Sequence, residues 1–361
     1  MKKYFSFFMV FVLLSACGDI NNKDNASKQV VKIATTLPLT GNLAKYGIAL
    51  QKSLELALED INKKELKYDY KLIIEDDAYE LKKAMTNLSK FKGVDNVNVV
   101  MTFWGNTGTL ASSWAEQHKV VHISCALSDV VGKGFYNFNH TTQPKTHLNR
   151  IVKFYKDNNY KKVGFVYLKA LEIQEMIDNW VPFFEKEGFE VVFIKGFNNQ
   201  ERDFRIEIQK MKEANPDVVE LMLQTPTLNI FGRQSKELGF DVPMSGINNI
   251  PDALSEYEGD TYITEETGKA DFTKHFEDST GLKQTSCVVN FYDGFNMIVD
   301  AFEKAGDGIS VPENKDVVNI MLNNKDFNSV LDKITIDEDG NIDSPSVLKR
   351  VINGKGVEVE K

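Results

Sequence analysis

The chain has 361 residues, of which 42% are hydrophobic, and a net charge of −9. A single core stops growing at roughly 250–300 residues, so this length calls for two packed units, and the composition is that of an ordinary globular chain. The acidic balance argues against a nucleic-acid partner, which requires a basic patch. After the first fourteen residues no apolar run approaches the ~20 residues that cross a bilayer.

The N-terminus reads as an export leader. Lys2 and Lys3 precede an apolar run from Tyr4 to Leu14, which is too short to span a membrane and is followed by the small residues Ser15 and Ala16. Leu14-Ser15-Ala16-Cys17 resembles a lipobox, which implies cleavage before Cys17 and a lipid on its thiol. Residues 1–16 are then the leader. Residues 17–29, rich in Asn, Asp, Lys and Ser, form a flexible tether with too little apolar surface to fold. Once Lys2 and Lys3 are removed, the net charge moves from −9 to −11. Net charge bears on solubility and steering, not on the fold.

From residue 30 the hydrophobic period alternates. "VVKIATTL" (30–37) reads as a buried strand. It is followed by a helix over 49–64 with Leu54, Leu58 and Ile61 on one face, and by a strand over 70–77. A helix over 83–91, a strand over 97–103, a helix over 109–117 and a strand over 119–124 complete a first block. In the second block Leu148, Ile151, Val152 and Tyr155 share a helical face. A strand is expected over 161–168, a helix over 176–188 and a strand over 189–197. Phe204, Ile208 and Met211 mark a helix that stops before Asn215-Pro216. A strand over 217–223, a helix over 229–239 and a strand over 242–247 follow. Two runs of alternating strands and helices predict two α/β lobes with mainly parallel sheets. Ligand crevices of such sheets lie beyond the C-terminal strand ends, so the loops 37–46, 102–109, 125–131, 168–174, 224–228 and 247–252 are the ones to search.

Those loops hold no G-x-S-x-G elbow, P-loop, G-x-G-x-x-G or H-E-x-x-H pattern, and no enzyme activity, cofactor or metal is expected. His118 and His122 are four apart but flank the start of a strand, so they do not share a helical face. "DEDGNID" (337–343) lacks the glycine a calcium loop needs at its sixth position, and reads instead as a hairpin closed by an Asp-Gly turn. Asp76-Asp77 is expected to end a strand and cap the next helix. Cys125 and Cys287 are the thiols left after Cys17. In an oxidising compartment they could pair, but the reading preferred here is two unpaired, buried small hydrophobes.

"VKIATTLPLTGNLAKYGIALQKSLELALEDIN" (31–62) resembles the opening of the branched-chain amino acid binding proteins, extracytoplasmic receptors of ABC importers with the two-lobed type I periplasmic-binding fold. Pro38-Leu39-Thr40-Gly41, Tyr46-Gly47 and Glu59-Asp60-Ile61-Asn62 carry the likeness. "IIEDDAYELKKA" (73–84), "GNTGTLASS" (105–113), "ISCALSD" (123–129), "FNNQERDFRIEIQKMKEANPDVVEL" (197–221) and "VVNFYDGFNMIVDAFEKAG" (288–306) continue it in order, over about residues 30–350. The resemblance implies three strand crossings, near 142–146, 264–270 and 331–336. Lobe one is then 30–143 plus 268–332, and lobe two is 144–267 plus 333–361. Ligand touching both lobes favours the shut state through its differential affinity, with the hinges taking up the rotation. The partners implied are a small-molecule ligand, a membrane permease with its ATPase, and the lipid anchor at Cys17. A sensor of the same fold, reporting to a signalling protein, is the alternative; neighbouring permease or kinase genes would separate the two.

The expected pocket rests on a helix start. Asn106, Thr107 and Thr109 open the helix after "VNVVMTF", where backbone N–H groups and the dipole make an anion site. The resemblance places Asn106 or Thr107 on the family's carboxylate binder. It places Ala126, Leu127 and Ser128 on the loop that contacts carboxylate and amino group. Tyr46 and Trp104 are expected as walls. In the second lobe the family's first aromatic falls on Ala170, Leu171 or Glu172, its second on Gln224 or Thr225, and its acidic partner for the ligand ammonium on Ile247, Asn248 or Asn249. None of the last three is acidic. A buried ammonium needs compensation, so either Glu172 supplies it from another loop or the ligand lacks an amino group. Gln224 and Asn248 suit an amide or a second carboxylate. Amino acids, small amides, urea-like compounds and organic acids remain open. The family's own Cys pair also lacks a partner, because Tyr79 occupies that position.

Overall fold

A computed structural model describes residues 28–128, 130–248, 250–323, 327–331 and 334–359. The leader, Cys17 and nearly all of the tether lie outside the described residues. The first sheet begins with strand β1 (Val30–Leu37), whose β-branched run is buried almost throughout. β1 pairs in parallel with β2 (Asp69–Asp76) on one side and β3 (Val99–Phe103) on the other. β4 (Val121–Cys125) and β5 (Asn137–Thr141) extend the sheet in parallel beyond β3. Strands buried on both faces read as continuous apolar runs, which is why β1, β3 and β4 were legible.

Helices cover both faces of this sheet. Helix α1 (Ala44–Ile61) buries Leu50, Leu54, Ala57 and Ile61 and packs on α9 (Val288–Ala305), which in turn packs on α10 (Asn314–Asn323). On the other face α2 (Leu81–Lys90) and α3 (Gly105–His118) bring Leu88, Ala111, Trp114 and Ala115 against Ala34 and Val100.

The second sheet repeats the plan. α4 (Pro144–Asp157), β6 (Lys162–Leu168), α5 (Leu171–Lys186), β7 (Glu190–Phe197), α6 (Arg205–Ala214), β8 (Val218–Met222), α7 (Thr227–Glu237), β9 (Met244–Ile247) and β10 (Thr261–Glu265) follow in chain order. Pro144 stands at the first turn of α4, where its missing N–H costs nothing. Leu148, Ile151 and Tyr155 of α4 meet Trp180 and Phe184 of α5 over one face of the sheet. Phe204, Ile208 and Phe231 cover the other.

The chain then returns to the first sheet through α8 (Ala270–Thr280), which packs on α1. After α10 it forms β11 (Thr335–Ile336) and β12 (Asn341–Asp343), and ends in the second sheet with β13 (Ser346–Ile352) and β14 (Lys355–Glu358). Among the described residues the strand orders are β11-β12-β5-β4-β3-β1-β2 and β14-β13-β10-β9-β8-β6-β7. β11 and β12 form the antiparallel hairpin read in "KITIDEDGNI".

This pairing corrects the third crossing. β12 pairs in parallel with β5 of the first sheet, so residues 335–343 belong to that sheet, and the passage falls between Asp343 and Ser346 rather than near 331–336. A short hairpin at a sheet edge carries too little apolar pattern to announce which sheet it joins. The other passages lie between β5 and α4 and between β10 and α8. The three are stitched together. Thr141 Oγ1 donates to Glu265 Oε1 at 2.6 Å, Thr142 Oγ1 to the Pro345 carbonyl at 3.0 Å, and Thr146 Oγ1 to Asp343 Oδ2 at 2.6 Å.

Candidate ligand crevice between the two sheets

The C-terminal ends of β1, β3 and β4 carry the first edge of the crevice, and three devices fix its loops. The first is Asp76. Its Oδ1 accepts N–H bonds from Leu39, Thr40 and Ala78, and its Oδ2 accepts the Thr40 hydroxyl at 2.6 Å. Burial opposes its charge, yet these donors hold its carboxyl below the usual range. Asp77, fully buried, is pushed upward by burial despite its bonds from the Tyr79 N–H and the Thr36 hydroxyl. The expected helix cap is therefore corrected. The residue before α2 is Glu80, with no side-chain cap, because both carboxylates are committed to the neighbouring turns. Ala78 and Tyr79 both have positive φ.

The second device is the seating of two helices. A Cβ on Gly47 would lie 2.2 Å from the Pro38 carbonyl oxygen, and one on Gly108 would lie 2.7 Å from Ser124 Oγ. Only glycine lets α1 and α3 approach this closely. Trp104, just before α3, has φ 61° and ψ 172°, an unusual conformation for a non-glycine residue. Its N–H donates to the Cys125 carbonyl at 2.9 Å. Its ring meets Tyr46, Phe103 and Tyr79 at centroid distances of 5.4, 4.5 and 5.6 Å. Tyr79 thus joins the aromatic wall, a role that sequence reasoning missed.

The third device is the pairing of Cys125 with Cys287, Cα to Cα 6.0 Å. The expectation of two unpaired thiols is corrected. The two lie 162 residues apart, a separation from which no distance can be read. The bond joins the end of β4 to the residue before α9, and so anchors the 126–128 loop.

The predicted first-lobe residues fall around this edge. Asn106 and Thr107 lie in the first turn of α3. Neither side chain makes a hydrogen bond among the described residues, and Thr107 is buried. The first-turn N–H groups of a helix lack intrahelical acceptors, so this end of α3 is a position that favours an anion. Ala126 is differently placed from expectation. Its N–H donates to Asn139 Oδ1 at 3.1 Å and its carbonyl accepts Asn139 Nδ2 at 2.9 Å, so Asn139 holds the backbone assigned to ligand. Ser128 is buried, and its hydroxyl accepts the Val130 N–H at 3.2 Å. Leu127 packs against the second unit's core around Met176 and Trp180, bridging the sheets. A void of about 10 Å³, room for about one water, lies between Leu127, Ser128, Glu175 and Trp180.

The second edge is plainer. Gln224 follows β8, and its carbonyl accepts the Leu228 N–H at the start of α7. Asn248 follows β9 with φ 55°, and its Oδ1 accepts the Glu265 N–H at 3.3 Å. Its side chain therefore supports the hinge strand. Glu172 falls in the first turn of α5, and its side chain lies outside the described part of the structure. A cavity of about 520 Å³ opens elsewhere, at the N-terminal ends of β3 and β4 beside Lys92, Asn98, Lys119 and Asn314. That is the wrong end of the strands for this class of crevice. His118 ends α3 against Trp114, whereas His122 is buried in β4 between Thr102 and Asn137, where burial drives its pKa down to about 4.

Two mainly parallel sheets, each covered by helices and joined by three passages of the chain, are the architecture of the bilobal solute-binding class. Residues 30–355 match the sequence family described as periplasmic binding protein, and the chain belongs to that family, whose members bind solutes and are not enzymes. A Leu/Ile/Val-binding protein homolog from Brucella abortus is 22% identical over 336 residues, covering 88% of this chain and 89% of its own. Among solved structures, the branched-chain amino acid transporter substrate-binding protein LivJ from Streptococcus pneumoniae, in complex with isoleucine, superposes with a TM-score of 0.79 at 20% identity, over 92% of this chain and 100% of its own. A solute-binding protein of an ABC transporter from R. palustris, in complex with benzoate, gives 0.79 at 17% identity, over 91% and 95%. The family places the chain outside the cytoplasm. No helix among the described residues is long and apolar enough to cross a membrane.

Proposed function

We propose that the chain is the receptor of an ABC importer, held at a bacterial membrane by a lipid on Cys17, and that its two lobes close on a small carboxylate-bearing solute. The observation that carries this reading is the donor cluster of Asn106, Thr107 and the α3 amides at the crevice edge. A helix N-terminus is suited to an anion, and the stitched crossings suit a hinge. Relatives named for Leu, Ile and Val and a neighbour holding benzoate agree with a ligand that carries a carboxylate. Tyr46, Trp104 and Tyr79 form the apolar wall against its side chain. The lobes are 30–143 with 268–343, and 144–267 with 344–361.

A thermal-shift screen against amino acids, amides, ureas and small organic acids tests it. Ligand at ~100 times its dissociation constant adds ~2.7 kcal/mol of stability. No shift from any carboxylate-bearing compound would remove the anion-site reading. Mass spectrometry of the exported protein tests the anchor: a lipid-free Cys17 would refute it.

A further inference from the structure

The cavity of about 520 Å³ lies at the opposite pole of the first sheet from the crevice. It opens where β3 and β4 begin, beside Asn98 and Lys119, whereas the crevice lies where those strands end. Lys92, Lys119 and Lys315 line it, all exposed, and Glu313 is its lining carboxyl. Lys315 Nζ stands 3.4 Å from Glu313. Lys92 Nζ reaches the His118 carbonyl at 3.5 Å, and the Lys119 ammonium has no hydrogen bond or ion pair among the described residues. Two cations thus line one cavity with no carboxylate of the described residues in ion-pair reach.

The same pole is where the N-terminal segment leaves the lobe. Asn314 Nδ2 donates to the Asn98 and Lys119 carbonyls at 3.0 and 2.9 Å. Asn98 in turn accepts the Lys32 N–H on its Oδ1 at 2.9 Å, and its own N–H donates to the Lys32 carbonyl at 3.0 Å. The cavity is therefore tied directly to the start of β1. Cys17 and Val30 are 13 residues apart, so a lipid on Cys17 holds this pole within about 45 Å of the bilayer. The pole also carries the two most exposed large apolar side chains among the described residues, Ile309 at 79% and Val94 at 77%. Each stands two residues from a lining residue, Val311 and Asn96. A free anion would use the lysines and leave Val94 and Ile309 in water. A bilayer surface offers phosphates to the first and an apolar boundary to the second. The chain carries a net charge of −9, so an anionic surface repels most of it and approach is least opposed where lysines are unpaired.

We infer that this pole of the first lobe is a membrane-surface site: Lys92 and Lys119 take the phosphate groups of anionic lipid heads, and Val94 and Ile309 rest at the interface. It rests on the anchored-receptor reading above and adds to it an orientation of the lobe at the bilayer.

The test uses the full exported chain with a polarity-sensitive dye on Val94→Cys. Vesicles are of phosphatidylcholine alone or of an equal mixture with phosphatidylglycerol. Cys125 and Cys287 are paired and take no dye. The expected result is a blue shift on the anionic vesicles and little on the neutral ones, lost at high salt because exposed charges are screened. The same dye on Ile206→Cys, 72% exposed on α6 of the second sheet, stays unshifted; any dye on Cys17 is common to both proteins and cancels. Lys92→Gln with Lys119→Gln lowers the docked-to-free ratio ~30-fold and leaves solute affinity unchanged, since neither residue lies in the crevice. No shift at Val94 on anionic vesicles, an equal shift at Ile206, or a shift that survives loss of both lysines would overturn the site. Lysine-dependent binding of glycerol 3-phosphate without a vesicle shift would assign the cavity to a free phosphate ester and overturn it as well. A lipid-free Cys17 in mass spectrometry refutes the anchor alone, because the dye still reports whether the pole seeks anionic lipid.

Discussion

The two edges of the crevice are built from the same kind of strand end, yet they differ in what their side chains are free to do. On the first edge Asp76, Asn139 and the Cys125–Cys287 bond fix the loops from behind. That leaves the side chains of Asn106 and Thr107 without hydrogen bonds among the described residues. On the second edge Asn248 is engaged by the hinge strand, and Gln224 sits at a helix start whose backbone is already bonded. A rigid edge with open donors suits charge recognition, because preorganised donors need no reordering when ligand arrives. The other edge suits shape and closure. The comparison predicts an asymmetric response to substitution.

The largest effect is expected from the disulfide. Cys125→Ser with Cys287→Ser removes a bond closing a 162-residue separation and lowers unfolding stability by about 4 kcal/mol, measured by urea titration with and without reductant. Wild-type protein in reductant should approach the double variant. Equal midpoints in all four conditions would show that the first edge does not depend on this bond. Next comes the anion site. Asn106→Ala with Thr107→Ala removes two side-chain donors and lowers affinity for a carboxylate-bearing ligand by about 3 kcal/mol, roughly 100-fold by calorimetry. The matching second-edge pair, Gln224→Ala with Asn248→Ala, costs under about 1 kcal/mol. A second-edge loss as large as the first would reverse the comparison.

Gly108→Ala sharpens the point without touching ligand. The added Cβ would meet Ser124 Oγ at 2.7 Å and Val131 at 3.1 Å, forcing α3 away from β4. Overpacking of this kind costs about 2 kcal/mol, and it displaces the donor cluster, so stability and affinity fall together. If stability falls and affinity holds, the exact seat of α3 does not set the site.

How far the sequence could be read follows the same division. β1, β3, β4 and β8 were visible as apolar runs because both their faces are buried. β5 was not, since "NFNHT" is as buried as its neighbours but interior by hydrogen bonding rather than by apolar character. Asn137 and Asn139 act there as internal partners, a role that composition disguises as loop. The start of α3 was legible from Asn106 and Thr107, placed between a strand and an amphipathic run. The disulfide, the Asn139 clamp and the Thr141–Glu265 bond were hidden because each joins residues far apart in the chain, and hydrophobic periodicity reports only near neighbours. The hairpin at β11 and β12 was read correctly and assigned to the wrong sheet for the same reason.

The last prediction concerns where the second lobe keeps its buried acid. Glu220 lies in the middle of β8, fully buried, with Oε2 accepting the Tyr155 hydroxyl at 2.6 Å and Ser245 as its cross-strand partner. Burial raises its pKa to about 7, against the opposing hydrogen bond from Tyr155. Below the ordinary carboxyl range the group is protonated in both folded and unfolded chains, so its contribution is fully present. As pH rises toward 7 the unfolded chain has released the proton and the folded one still holds it. Stability therefore falls across this window and levels off once the folded group ionises, with a slope no steeper than about 1.4 kcal/mol per pH unit. Glu220→Gln keeps an acceptor for Tyr155 and cannot ionise. The stability difference between variant and wild type should then grow from pH 4.5 to 7 in favour of the variant. Comparing the two proteins cancels His122 and His147, which burial drives down to about 4 and about 3 and which titrate in both. A difference independent of pH would mean that Glu220 ionises as readily folded as unfolded. The second lobe would then tolerate a charge in its core as well as the first does at its edge, and the contrast between the lobes would narrow to the crevice alone.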